Sequence, residues 1–206
     1  MRNTQYFERL WNSFRAILKE PVNVGKQFVE SRDYLLGIGF IVAEVLCSGL
    51  YFFLFGFRLN LGVIKAFKYL SALSAKHLSL LSYFGFGLLS YAIDAGLLLL
   101  IMFLFSKLFS NPKVDIQNAV ILISLQAIFD IPVTLAAGCV SFLSSAAGLF
   151  VYSAGKLLGL LIVSKLYPYE DSNGSEKSSY IVFSIYGAAA LAKGIVDMLY
   201  ISMMLK

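Results

Sequence analysis

Five long apolar stretches fill most of this chain, and each carries at least one ionisable residue in its interior. The stretches cover residues 35–57, 78–105, 116–138, 140–165 and 180–203. Each is close to or above the ~20 residues an α-helix needs to cross a bilayer. Glu44, Asp94, Asp130, Lys156, Lys193 and Asp197 sit inside them. A charge at that depth costs roughly 2.5–3.5 kcal/mol on insertion scales, so each is expected to face protein or water and to find a partner. The pattern predicts an all-α fold: a polytopic, five-helix transmembrane bundle over 35–206, preceded by a cytoplasmic amphipathic head over 1–34.

Composition agrees with a membrane chain. The sequence is 59% hydrophobic and 14% charged, against about 25% charged in a soluble domain. The net charge of +5 is spread over segments flanking the apolar stretches. There it sets orientation and attracts anionic lipid, so no nucleic-acid partner is expected. The two cysteines, Cys47 and Cys139, belong to no CxxC and are read as small buried residues without a disulfide. With His77 the only histidine, no metal site is expected. The first apolar run follows a charged stretch, so it is expected to remain in the mature protein as a span.

In the head, Tyr6, Phe7, Leu10, Trp11, Phe14, Ile17 and Leu18 recur at three- and four-residue spacing, which predicts an amphipathic helix. Pro21 ends it, because the residue before a proline is pushed out of the α region. A second helical piece runs from Val22 to Ser31, with Val22, Phe28 and Val29 toward an apolar surface. The stripe of Phe7, Leu10, Trp11, Phe14 and Leu18 lies in the lipid headgroup layer, packs on the inner ends of the spans, or does both.

Between the first two apolar runs, residues 59–70 predict a separate interfacial helix, with Val63, Ile64, Phe67 and Leu70 on one face and lysines on the other. A turn is expected around Ser110-Asn111-Pro112-Lys113. An uncharged turn is expected within 138–145, and a solvated loop over 167–177. Basic residues favour an inside N-terminus and an outside C-terminus, with ten on the inner segments against five on the outer.

Residues Phe14-Arg15-Ala16-Ile17-Leu18-Lys19-Glu20-Pro21-Val22-Asn23-Val24-Gly25-Lys26-Gln27-Phe28-Val29 resemble the opening of bacterial members of the Yip (Ypt-interacting protein) family. There an amphipathic stretch with a proline, and an aromatic a few residues on, precede five spans. The resemblance implies a helical membrane fold with a cytoplasmic N-terminus. Eukaryotic relatives serve vesicle traffic through small GTPases, but their Asp-Leu-Tyr-Gly-Pro motif is absent here, so GTPase binding is not carried over.

Depth counted at about 1.5 Å per residue from each inner boundary sets Glu44 level with Lys156, and Asp94, Asp130 and Lys193 at a second, deeper level. Lys193 and Asp197 also stand four apart on one helix face. These groups either pair to hold the bundle together or line an ion path. Pro132, two residues after Asp130, predicts a bend in the third span. Gly155 and Gly159, Ala190 and Gly194, and Gly39 and Ala43 predict close helix contacts within the chain.

No HExxH, GxSxG or Walker glycine loop is present. The expected function is therefore non-enzymatic and cofactor-free: an accessory or scaffold protein of the cell membrane that binds the lipid bilayer and a membrane-protein partner. The alternatives are a small transporter or channel using Asp94, Asp130 and Lys193, and a lipid-handling or membrane-shaping protein.

Overall fold

The computed structural model describes residues 2–67, 80–108, 116–166 and 174–204. Among them the chain forms helices α1 (Arg2–Lys19), α2 (Pro21–Ser31), α3 (Tyr34–Phe67), α4 (Leu80–Leu108), α5 (Ile116–Leu143), α6 (Ser145–Leu166) and α7 (Gly174–Met204). Four helices contain segments long and apolar enough to cross a membrane: Tyr34–Phe57, Leu80–Leu104, Ile116–Leu143 and Ser145–Leu166. The described apolar part of α7 is Tyr180–Ile195.

α5 is the axis of the bundle. It packs against α3, α4 and α6, while α7 closes the ring between α4 and α6. Its apolar window is 61% buried, against 28–33% for the other three. The sequence of α5 explains that position. Asn118, Ser124, Gln126, Asp130, Thr134 and Ser141 are all buried on it, and polar side chains on a membrane helix must turn toward protein. Helices with fewer such groups take the periphery, where Leu100 of α4 and Leu157 of α6 stay exposed.

Glycines set the close approaches. Gly155 of α6 faces Val133, Gly159 faces Asp130 and Gln126, and Gly148 faces Ser141. The partner number falls as the glycine number rises, so α5 and α6 form an antiparallel hairpin with a glycine seam. The GxxxG of α6 is therefore spent on this contact. The hairpin turns at one residue: Ser144 N donates to Val140 O at 2.9 Å, ending α5. Its hydroxyl accepts from Ala147 N at 3.4 Å, opening α6. α3 and α4 are also antiparallel, with Gly49 against Leu88 and Gly56 against Tyr83.

The head docks on the bundle. Ile17 is fully buried, Phe28 nearly so, and Leu10 and Phe14 pack on the same core. Phe14 and Phe28 both pack against Phe40 of α3. Gly39 of α3 faces Tyr6 and Leu10 of the head, and Tyr6 donates a hydrogen bond to Leu35 O at 3.0 Å. α2 lies over the start of α5 and the end of α6, with Gly25 against Leu125 and Leu166. Asp33 joins head to bundle: one oxygen accepts from Leu36 N at 3.2 Å and caps α3, and the other receives Arg9 at 2.6 Å.

Some expectations are corrected. α3 continues as helix through Phe67, so residues 59–67 extend the first long helix instead of forming a separate interfacial one; residues 68–70 lie outside the described part. The expected turn at 110–113 and His77 lie outside it too. α7 begins at Gly174, so the loop expected over 167–177 ends early. Cys139 is exposed instead of buried, Cys47 is half-buried, and both are free.

The glycine seam yields a prediction. A Cβ at Gly155 would overlap the Val133 side chain, whereas one at Gly187 on α7 meets open space. Gly155→Val is expected to destabilise by roughly 1–3 kcal/mol through overpacking, read by thermal denaturation in detergent. Gly187→Val should stay close to wild type, and equal losses from both would contradict the seam.

Candidate functional site: a polar centre joining five helices

Lys156 enters the bundle from α6 at the glycine seam. Its ammonium lies 2.6 Å from Asp130 Oδ2 of α5 and 3.6 Å from Glu44 Oε1 of α3. Its remaining surroundings are aromatic: it sits 4.4 Å from the ring centroid of Tyr91 on α4 and 5.3 Å from that of Tyr152 on α6. A cation between two carboxylates and two ring faces is held by Coulomb attraction and by the ring quadrupoles. The Glu44 and Asp130 side chains are 0% exposed, and that of Lys156 is 21% exposed.

Further hydrogen bonds extend this centre. Thr134 Oγ1 donates to Glu44 Oε1 at 2.7 Å, tying α5 to α3. Gln126 Nε2 donates to Asp130 Oδ2 at 3.3 Å. Tyr186 of α7 donates its hydroxyl to Gln126 Oε1. The network thus draws a side chain from each of the five long helices. Two carboxylate oxygens, Glu44 Oε2 and Asp130 Oδ1, are buried and make no hydrogen bond among the described residues.

Toward the α5–α6 turn the centre gives way to an aromatic layer. Tyr51 stacks on Tyr152, with centroids 4.6 Å apart and planes at 5°. Phe52 packs edge-on against Phe86 of α4. This layer locks α3, α4 and α6 together one to two turns beyond the charges. It also buries the hydroxyls of Ser48, Tyr51 and Ser141.

The structure brings together three of the six predicted interior charges. Glu44 lies beside Lys156, but Asp130 lies there as well, so the two-level arrangement is corrected. Asp130 shares Lys156 with Glu44. The cause is an axial offset. Glu44 is level with Thr134 and Gly37 with Ser124, whereas a common starting plane would set Glu44 beside Leu125. α5 is displaced by about six to nine residues, roughly 9–13 Å along its axis, so its first turns lie under the head. Asp94 and Lys193 are half-buried on the neighbouring helices α4 and α7, and neither is without a partner. The Asp197 side chain lies outside the described part.

The head stripe divides. Leu10 and Phe14 are partly buried on the core, while Phe7 is 67% exposed, Trp11 56% and Leu18 37%. Gln126, Thr134, Tyr91, Tyr152 and Tyr186 escaped the sequence reading. Gln126, Asp130 and Thr134 recur every four residues, a polar stripe on one helix face that periodicity alone reveals. Tyr152 and Lys156 repeat the same spacing.

The centre predicts a strong dependence on the lysine. Lys156→Met leaves the buried Asp130 carboxylate without its cation and is expected to cost about 3–5 kcal/mol. Adding Asp130→Asn removes the orphaned charge and should recover most of that loss, a coupling read from denaturation of both single variants and the double one. Additive losses would contradict the pairing.

Comparison of the chain with family models, curated proteins and solved structures gives no match.

Proposed function

We propose that the chain is a five-span protein of the cytoplasmic membrane, with its N-terminus inside. Its proposed role is that of a non-enzymatic accessory or scaffold protein of Yip-like type. The observation that carries this reading is the double-faced head helix. One face of α1 (Leu10, Phe14, Ile17) is committed to the bundle. The adjacent edge (Phe7, Trp11, Leu18) is exposed and flanked by Arg15 and Lys19. Apolar groups flanked by cations fit an anionic headgroup layer. Interior charges that engage one another support a bundle whose centre is structural. Its peripheral helices then offer their outer faces to a membrane-protein partner, which should co-purify in mild detergent. Loss of every co-purifying membrane protein would weigh against the scaffold.

A transporter is the second reading, favoured by the carboxylate oxygens without partners and by the buried hydroxyls of Ser48, Tyr51 and Ser141 beyond them. Its mark would be solute or ion flux in liposomes that Glu44→Gln abolishes.

Trp11 is the single tryptophan, so the full-length protein reports on its own head. In nanodiscs, lipids brominated near the headgroup should quench Trp11 fluorescence, more strongly with anionic than with zwitterionic lipid. Equal iodide quenching with and without lipid would place Trp11 in water and remove the head from the membrane surface. Topology has a separate check: reporters fused after Lys206 and inserted within 170–177 should fall on opposite sides of the membrane. Reporters on the same side would remove the fifth span.

A further inference from the structure

Lys156 brings one positive charge to two carboxylates and does not divide it evenly. Asp130 Oδ2 holds the ammonium at 2.6 Å and also accepts from Gln126. Glu44 Oε1 stands off at 3.6 Å, beyond hydrogen-bond reach, and takes the Thr134 hydroxyl at 2.7 Å instead. Glu44 Oε2 is buried with no hydrogen bond among the described residues.

Among the described residues, Lys156 is the only cation in ion-pair range of Glu44. Of the elements packed on α3, α4 brings Tyr91 and Asp94, α5 brings Asp130, and α6 brings Tyr152 and Lys156; α3 itself adds Cys47, and α7, packed on α4 and α6, carries Tyr186 and Lys193. Among these described groups the carboxyls Glu44, Asp94 and Asp130 outnumber the lysines Lys156 and Lys193. The surplus stays at one acid even where Asp94 and Lys193 offset each other. An unpaired carboxylate in such a place is costly, and the usual resolution is neutralisation.

We infer that Glu44 is a proton-binding site, with the proton on Oε2 while Oε1 accepts from Thr134. A proton needs no cavity and turns an unpartnered acceptor into a donor. Ser48, one turn further along α3, has a buried hydroxyl that makes no hydrogen bond among the described residues and is of the right chemistry to accept. A neutral Glu44 also leaves Lys156 to Asp130, which accounts for the unequal distances. A metal ion fits poorly, because no group of three His, Cys, Asp or Glu is placed to hold one among the described residues. The site stands whether the protein is a scaffold or a transporter, since it requires binding and not passage.

Infrared spectroscopy of the full-length protein in nanodiscs tests it. At neutral pH the wild type should show the C=O band of a protonated carboxyl, equally in sodium and in choline chloride. Glu44→Gln should remove that band and leave the melting temperature near wild type, because a glutamine matches the shape and charge of a neutral glutamic acid. Where Glu44→Gln does not fold, Glu44→Asp serves instead and should shift the band. Lys156→Met should enlarge it, as Asp130 then takes up a proton too. Absence of the band from the wild type overturns the site. So does a band that Glu44→Gln leaves at full intensity or Glu44→Asp leaves unshifted, or one that appears only when sodium is withdrawn.

Discussion

Lys156 places an ammonium group deep in a bundle whose outer surface is leucine, isoleucine and phenylalanine. It stays there because α6 carries Gly155 and Gly159 on either side of it, letting the backbone approach α5 closely enough for a 2.6 Å contact with Asp130. The contact then constrains its neighbours. Glu44 must come from α3, the ring of Tyr91 from α4, and Tyr186 reaches Gln126 from α7. Between hydrocarbon side chains in lipid there is little hydrophobic driving force, so packing and polar contacts of this kind decide how membrane helices associate.

The same contact makes α5 the axis. A helix bearing Asn118, Gln126, Asp130 and Thr134 has no face to spare for lipid along its first half, and Asn118 through Ile128 are buried almost throughout. Part of that burial comes from the head. α5 reaches below the start of α3, and the first two helices cover what would otherwise be an exposed polar and apolar end. The head is thus part of the bundle's packing, while its outer aromatic side chains remain available.

Much of the architecture was legible in the sequence. The apolar runs locate α3 to α6 because hydropathy registers a long stretch well, and Pro21 marks the break between α1 and α2. Interior charges were legible as groups needing partners. The identity of those partners was not, because hydropathy gives each helix its own starting point and no common plane. That left the offset of α5 invisible, and with it the sharing of Lys156. Gln126 and Thr134 were missed for a different reason: uncharged polar residues barely disturb an apolar average. The 59–67 segment misled because lysines on an amphipathic helix look interfacial even when the backbone continues α3 without a break.

The divided head stripe shows why a single amphipathic face was too simple a description of α1. Seven apolar side chains at three- and four-residue spacing span more of the helix circumference than one contact surface needs. Leu10, Phe14 and Ile17 form the edge packed on the core, and Phe7, Trp11 and Leu18 the adjacent, exposed edge. Asp33 fixes which side faces the bundle, since it caps α3 while holding Arg9. The pair is solvent-accessible and worth little by itself. Its effect is rotational: with Arg9 held and Tyr6 bonded to Leu35 O, α1 cannot turn about its axis without losing both contacts and exposing Ile17. The orientation of the outward aromatics is therefore set by contacts on the inner face, and the bundle below determines what the head presents to its surroundings.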